Sequence, residues 1–340
     1  MLRKAMVVAL LLAGTVPAFS AKITLDKAWV KKHMNQVTTS IGMDVMDVKP
    51  APNAPVDDGD IHMGGKSEDA GLPLVAEIMN AGLPPQAQAL KFAQDHKGKS
   101  IHVTGAWRLW FEHPPTGADD GQVQAIQGEI KMTRPGNVKA WTNPDHMFEV
   151  HPITKFENGQ TLEIANSVHM VDGIKQYDPK KVFPFYEGQV VTISETAGDS
   201  GTITMESSKS QYNYVIFLVS LQGNAVQTET QDGFLAYAEI FDWQGNLIPL
   251  TCSAGELCVR RMVIPNDTEP YTVLKLDKTK AAADVDGQCY QVLGIPRINL
   301  ERVNYVLQHS DQYQDGSVFL PYEMILVGAK ASNKCKVEKP

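Results

Sequence analysis

Residues 100–111 read SIHVTGAWRLWF, and the polarity of this stretch alternates with a period of two. One set of alternate positions is apolar and comprises Ile101, Val103, Trp107, Leu109 and Phe111. The intervening positions include His102, Thr104, Arg108 and Trp110. Because successive side chains of a strand point to opposite faces, the pattern predicts a long strand with one face in a core.

The neighbouring segments complete a recognisable order of elements. A helix is predicted before this strand, because Pro84-Pro85 suits a helix start, apolar residues follow at helical spacing, and Gly98 suits its end. Strands are predicted at 60–64 and 72–79 before the helix, and at 147–156 after the long strand. The apolar pattern at 41–48 fits a helix or a strand and is counted as the first strand. Three strands, a helix and two strands is the order of the OB-fold, a five-stranded barrel.

The second half of the chain is also predicted to be rich in strands. Short β-branched and aromatic runs at 190–195, 202–206, 212–221, 234–241 and 259–264 are separated by glycine-containing turns. This pattern fits a sandwich-like domain or a second barrel. The fold class is therefore mainly β, with an OB-like barrel domain at 22–158, a connection at 159–183, a β-rich domain at 184–330 and a tail at 331–340.

The first twenty residues have the layout of a secretory signal peptide. Arg3 and Lys4 precede an apolar run, and small residues at Ala18 and Ser20 predict cleavage after Ser20. The apolar run is too short to span a bilayer, and the sequence shows no other candidate transmembrane segment. A periplasmic or extracellular location is expected. The net charge of -8 disfavours nucleic acid as a partner, because phosphates repel an acidic surface.

Cysteine usage agrees with export. The four cysteines are Cys252, Cys258, Cys289 and Cys335. An even number in an exported chain suggests disulfides, and three pairings are open. The short spacing of Cys252 and Cys258 favours their pairing, which would leave Cys289 with Cys335.

Acidic and imidazole side chains gather on the predicted barrel strands. Asp60 and His62 share one strand face, Glu149 and His151 share another, and Glu77 stands alone among apolar neighbours. Asp60, His62, Glu149 and His151 are candidate ligands of a divalent metal such as zinc. His62, Glu77 and His151 are alternatively candidate acid–base groups. The structural alternative is a hydrogen-bonded network that fixes the barrel loops.

Other residues are candidates for contact with a ligand. Arg108 and Trp110 lie opposite the apolar face of the long strand, and His113 lies at its end. OB barrels bind oligonucleotides or sugars through exposed aromatic rings, and the acidic balance favours a saccharide or protein partner. In the second half, Arg297 could bind a carboxylate through two nitrogens, or could belong to a loop before a helix capped by Asn299.

Four of these segments, taken in order, carry a resemblance. They are Asp58-Gly59-Asp60-Ile61-His62, Leu74-Val75-Ala76-Glu77-Ile78, Ile101-His102-Val103-Thr104-Gly105 with His113, and Phe148-Glu149-Val150-His151-Pro152. This pattern resembles a group of exported bacterial OB-like proteins of unknown function. The resemblance covers residues 57–156 and implies a fold and a polar cluster, but no activity. The chain departs from the pattern at Ile153 and in a longer insert from Pro114 to Asp145.

Three functions follow from these observations as hypotheses. The first is an exported, non-enzymatic binding or envelope-associated protein. The second is a metal-dependent hydrolase that uses the His/Asp/Glu cluster. The third is a barrel that binds an oligosaccharide or nucleic acid.

Overall fold

The computed structural model describes a mainly β protein, as predicted. The described residues are 20–115, 122–125, 130–136, 138–164, 173–195, 201–208, 210, 212–221, 227–251, 259–266, 268–274, 276, 288–313 and 316–336. Residues 1–19 of the predicted signal peptide at 1–20, and the cysteines at 252 and 258, lie outside these ranges.

The chain forms strands and short helices in the following order. The strands are β1 (Ser20–Asp26), β2 (Thr38–Val48), β3 (Ile61–Ser67), β4 (Leu72–Ile78), β5 (Ser100–His113), β6 (Gln122–Ala125), β7 (His146–Glu157), β8 (Thr161–Glu163), β9 (Val190–Glu195), β10 (Thr202–Ser208), β11 (Val215–Leu221), β12 (Gln227–Glu229), β13 (Gly233–Phe241), β14 (Arg261–Pro265), β15 (Cys289–Ile298), β16 (Ser317–Phe319) and β17 (Tyr322–Ser332). The helices are α1 (Lys27–His33), α2 (Ala87–Asp95), α3 (Pro179–Gly188), α4 (Glu269–Val273) and α5 (Leu300–Gln308).

The first barrel has the predicted OB order. Strands β2, β3 and β4 pair as an antiparallel meander, β5 pairs with β2, and β7 pairs with β5. A parallel pairing of β4 with β7 closes the barrel, and α2 lies between β4 and β5 in the chain. This connectivity is that of an OB-fold. The predicted helix is confirmed, and its end is followed by Gly98 at a φ of 75°.

A glycine permits β5 to bend as the barrel closes. The pairing of β5 with β7 changes register on either side of Gly105. A Cβ atom at this position would overlap the carbonyl of Pro152 and would lie 2.8 Å from the Ile153 Cα. Only a residue without a side chain fits so close to the neighbouring strand.

The second half of the chain forms a second closed barrel. The sequence pattern was compatible with either a sandwich or a barrel. Strand β11 pairs with β13 and β15, and β13 and β15 pair with β14 and β17 respectively, all antiparallel. A parallel pairing of β14 with β17 closes it, and α4 lies between β14 and β15 in the chain. The strand connectivity therefore repeats that of the first barrel.

A third sheet is built from segments that belong to neither barrel. Its strand order is β16-β9-β10-β1-β6, so it joins the start of the described chain to segments near residues 122, 190, 202 and 317. Apolar side chains of β1, β9 and β10 are buried, including Ile23, Leu25, Val191, Ile203 and Met205. This sheet connects parts of the chain that are far apart in sequence.

Arg297 on β15 ties the two barrels together. Its guanidinium is fully buried and lies 3.7 Å from the ring centroid of Trp107 on β5. It donates hydrogen bonds to the backbone carbonyls of Gln36, Val37 and Trp107, and its Nε donates to Glu323 Oε1 at 2.7 Å. Asn299 accepts a hydrogen bond from the Arg302 amide and caps α5. Arg297 thus binds a carboxylate, but through Nε alone and not through two nitrogens as predicted. The predicted capping role of Asn299 is confirmed.

One predicted disulfide lies within the described residues. Cys289 on β15 is bonded to Cys335, and their Cα atoms are 5.6 Å apart. The bond fastens the segment after β17 to the second barrel. The helices in the described ranges are all too short or too polar to cross a membrane.

Candidate functional site

The register of three barrel strands brings the predicted polar residues together. In the antiparallel pair β3–β4, His62 lies directly opposite Glu77. In the parallel pair β4–β7, Val75 is matched with Glu149 and Ala76 with Val150, so Glu77 lies beside His151. Glu77 therefore stands between the two imidazoles, on the central strand of the three.

The distances define a compact cluster of nitrogen and oxygen atoms. His62 Nε2 lies 3.4 Å from Asp60 Oδ1 and 3.8 Å from Glu77 Oε1. His151 Nδ1 lies 2.8 Å from Glu77 Oε2 and 3.7 Å from Glu149 Oε2. Two sets of potential ligand atoms each lie within 4.8 Å of one another: those of Asp60, His62 and Glu77, and those of Glu77, Glu149 and His151. We call the five residues the polar cluster.

Arg108 on β5 flanks the polar cluster and binds its outer carboxylate. Its NH1 lies 2.6 Å from both Glu149 Oε2 and Glu112 Oε2, while its Nε donates to the Pro296 carbonyl of the second barrel. Glu149 also lies 3.2 Å, through Oε1, from His146 Nε2. Arg108 therefore holds Glu149 in place and neutralises part of the local negative charge.

The polar cluster borders a small cavity between the barrels. The cavity has a volume of about 90 Å³. The first barrel contributes His62, Glu77, Arg108 and His151 to its wall, and the second contributes Leu293 and Ile295 from β15. Asn53, Asp58, Asn213 and Tyr214 complete its polar rim. The site is thus covered by the second barrel instead of lying on an open barrel face.

Several polar atoms of the cluster lack hydrogen-bond partners. His151 is 6% exposed, and neither of its ring nitrogens makes a hydrogen bond within the described part of the chain. Its Nδ1 is near Glu77 but is not aligned for a hydrogen bond. Asp60 is fully buried, and its Oδ2 also has no hydrogen-bond partner among the described residues. Buried polar atoms are normally satisfied, so these atoms call for an explanation.

Burial and crowding shift the pKa values of the acidic groups. Burial, reinforced by the Asp60 carboxylate, raises the pKa of Asp58 to about 8. Burial and the Glu77 carboxylate raise the pKa of Asp60 to about 6. Burial opposes charge on His62, but the carboxylates of Glu77 and Asp60 outweigh it and raise its pKa to about 9. Bound protons therefore neutralise part of the negative charge in this region of the protein.

Of the predicted contact residues, Arg108 and Trp110 are buried, whereas His113 is partly exposed. Trp110 is 2% exposed and packs edge-on against Tyr186, and Arg108 is equally buried. His113 lies at the cavity wall, where its Nε2 is 3.1 Å from Glu112 Oε1 and its ring stacks on His146. Trp107 and Phe148 are fully buried, so these rings pack in the interior, and Trp141 is half-buried.

Sequence reasoning missed several residues that line or support the site. Asn53 donates to Asp60 Oδ1 at 2.6 Å, and Asn213 donates to Glu112. Asn53 lies in a proline-rich loop and Asn213 is 101 residues from its partner Glu112 in the chain, so no spacing pattern indicates either one. Asp58 and Glu112 were not among the predicted site residues, although Asp58 opens the first segment of the resemblance and Glu112 precedes His113 at the end of the predicted strand.

The chain was compared with known proteins. No protein-family model matches it, and no curated protein matches it.

Proposed function

We propose that this chain is an exported, non-enzymatic protein that binds a divalent metal of the zinc class in the cavity between its barrels. The observation that carries the proposal is the convergence of two imidazoles and three carboxylates in the polar cluster, of which His62, Glu77 and His151 line the cavity. Neither ring nitrogen of His151 has a hydrogen-bond partner among the described residues. Imidazole nitrogen and carboxylate oxygen are the ligands that zinc and similar ions accept.

The distances within the polar cluster are close to those between ligands of one ion. Zinc lies about 2.0–2.2 Å from nitrogen and oxygen ligands, so two ligands of one ion are about 2.9–3.6 Å apart. The four nitrogen–oxygen distances in the cluster are 2.8, 3.4, 3.7 and 3.8 Å, so one lies in this range and the other three lie close to its limits. His151 Nδ1 is close to Glu77 without the alignment of a hydrogen bond, as expected when both atoms point towards a third.

The size of the cavity favours binding over turnover. Sites for small organic molecules usually enclose about 300 Å³ or more, whereas this cavity encloses about 90 Å³. An ion with one or two waters fits this volume, but a polymeric substrate does not. The metal would bind to the polar cluster inside a cavity that the second barrel covers.

Metal content of the purified full-length chain tests the proposal. After reconstitution with zinc and removal of free ion, elemental analysis should find at least one zinc per chain. His151→Ala should lower this content, and His102→Ala should leave it unchanged, because His102 is an exposed imidazole on the same barrel. Thermal unfolding of each variant without metal shows whether it is folded. Zinc bound equally by both variants, or absent from the folded wild type, would refute the proposal.

Export is tested separately. Expression of the full chain with fractionation should place it outside the cytoplasm, with a mature N-terminus at Ala21 when the protein is analysed by mass spectrometry. A cytoplasmic chain that keeps residues 1–20 would contradict this part of the proposal.

A further inference from the structure

We propose, building on the function above, that the cavity takes two divalent cations bridged by the Glu77 carboxylate. The polar cluster divides into two overlapping half-sites. The first half-site comprises Asp60, His62 and Glu77, and the second comprises Glu77, Glu149 and His151. Glu77 is the residue that both half-sites share.

The two oxygens of Glu77 face different half-sites. Oε1 is the oxygen nearest His62 Nε2, at 3.8 Å, and Oε2 is the oxygen nearest His151 Nδ1, at 2.8 Å. A carboxylate that presents one oxygen to each of two ligand sets is arranged to bridge two ions. A carboxylate that binds a single ion would instead direct its coordinating oxygen atoms towards that one ion.

Each half-site contains a polar atom that hydrogen bonds have left free. In the first half-site, Asn53 donates a hydrogen bond to Asp60 Oδ1, and Asp60 Oδ2 has no hydrogen-bond partner among the described residues. In the second, neither ring nitrogen of buried His151 makes a hydrogen bond with a described residue, although Nδ1 lies 2.8 Å from Glu77 Oε2. A single ion would satisfy the free atoms of one half-site and leave those of the other unsatisfied, which costs free energy in a buried site.

Two-metal sites elsewhere hold their ions about 3.5–4 Å apart. A cavity of about 90 Å³ has room for two ions at this separation with a small number of waters. The neighbouring Arg108 and Asn53 act as positioning residues, since each binds an outer carboxylate oxygen of a different half-site: Glu149 Oε2 and Asp60 Oδ1 respectively.

The experiment is reconstitution of the full-length chain with Mn²⁺, followed by elemental analysis and electron paramagnetic resonance. We expect two Mn²⁺ per chain and the multiline spectrum of an exchange-coupled pair. Two variants should each remove one half-site. His62→Ala and His151→Ala should each reduce the bound Mn²⁺ from two ions per chain to one, and each variant should give the spectrum of isolated Mn²⁺. His102→Ala should keep both ions and the coupled spectrum.

The outcomes separate the two proposals. One ion per wild-type chain would overturn the pair and leave the metal-binding function standing. Two ions without exchange coupling would overturn the Glu77 bridge. No bound ion in a folded chain, with either Mn²⁺ or zinc, would overturn both the pair and the function it rests on.

Discussion

At the scale of single residues, burial decides which titratable groups affect stability. His33 at the end of α1 illustrates this outside the polar cluster. Its ring is 1% exposed, stacks on Trp29, and hydrogen-bonds through Nδ1 to the Trp29 carbonyl at 2.9 Å. Burial lowers the pKa of His33 to about 4, and the nearby charges of Lys32 and Arg297 act in the same direction. The native state therefore keeps this imidazole neutral well below pH 6.5.

His33 should make the protein less stable as the pH falls from 6.5 to 4. In this window the unfolded chain binds a proton at His33 and the native chain does not, so the free energy of unfolding decreases with decreasing pH. A pKa difference of this size corresponds to about 3 kcal/mol. Urea unfolding of wild type and His33→Gln at pH 7 and pH 4.5 measures it. The variant should lose less stability on acidification than the wild type, and equal losses would contradict the assignment.

At the scale of elements, close contact between strands β5 and β7 shapes the first barrel. Gly105 sits where the register changes, directly against the Pro152 carbonyl. The same pairing sets Arg108 opposite Glu149, which positions the outer edge of the polar cluster. The bend at Gly105 is thus linked to the geometry of the site through one pair of strands.

Gly105→Ala should destabilise the first barrel. The added methyl group would overlap the neighbouring backbone, and overpacking of this kind costs about 1–3 kcal/mol. Gly188→Ala is the matched control, because no atom lies within 4 Å of a Cβ built at that position. Thermal unfolding should show a lower midpoint for Gly105→Ala than for wild type and Gly188→Ala. A midpoint equal to that of wild type would show that the strands separate easily at this point.

At the scale of the whole molecule, a buried ionic network joins the barrels. Glu323 on β17 pairs with Arg297 through Oε1 and with Arg261 through Oε2, and Arg261 also binds Glu301 and Asn299. Arg297 then reaches three carbonyls of the first barrel. This places β15 against β5 and covers the cavity that the polar cluster borders.

Arg297→Met should weaken the junction between the barrels. The substitution leaves three buried carbonyls without the Arg297 donors and removes one partner of Glu323, and breaking a buried pair in this way costs about 3–5 kcal/mol. Lys330→Met, at an exposed position on β17, is the control. Urea unfolding should show a clear loss for the first variant only. If the metal site depends on the second barrel, Arg297→Met should also bind less zinc.

The sequence by itself determined the local elements of this protein. The first barrel was predicted from the alternating polarity at 100–111, the helix that ends before Gly98 and the order of the strands around them. These patterns can be recognised in the sequence because each depends on residues that are close together in the chain. The pairing of Cys289 with Cys335 also followed from counting and spacing, although the alternatives stayed open until the structure showed the bond. The export signal stays a prediction.

Only the tertiary structure decided how these elements meet. A strand pattern is the same in a sandwich and a barrel, and closure of the second barrel depends on β14 pairing with β17 some sixty residues later, as Met262 opposite Met324 shows. The sequence selected Glu77 and His151 separately, but the parallel register of β4 with β7 made them neighbours. Burial of Arg108 and Trp110 beneath other parts of the chain was likewise invisible to local pattern, because long-range contacts set burial.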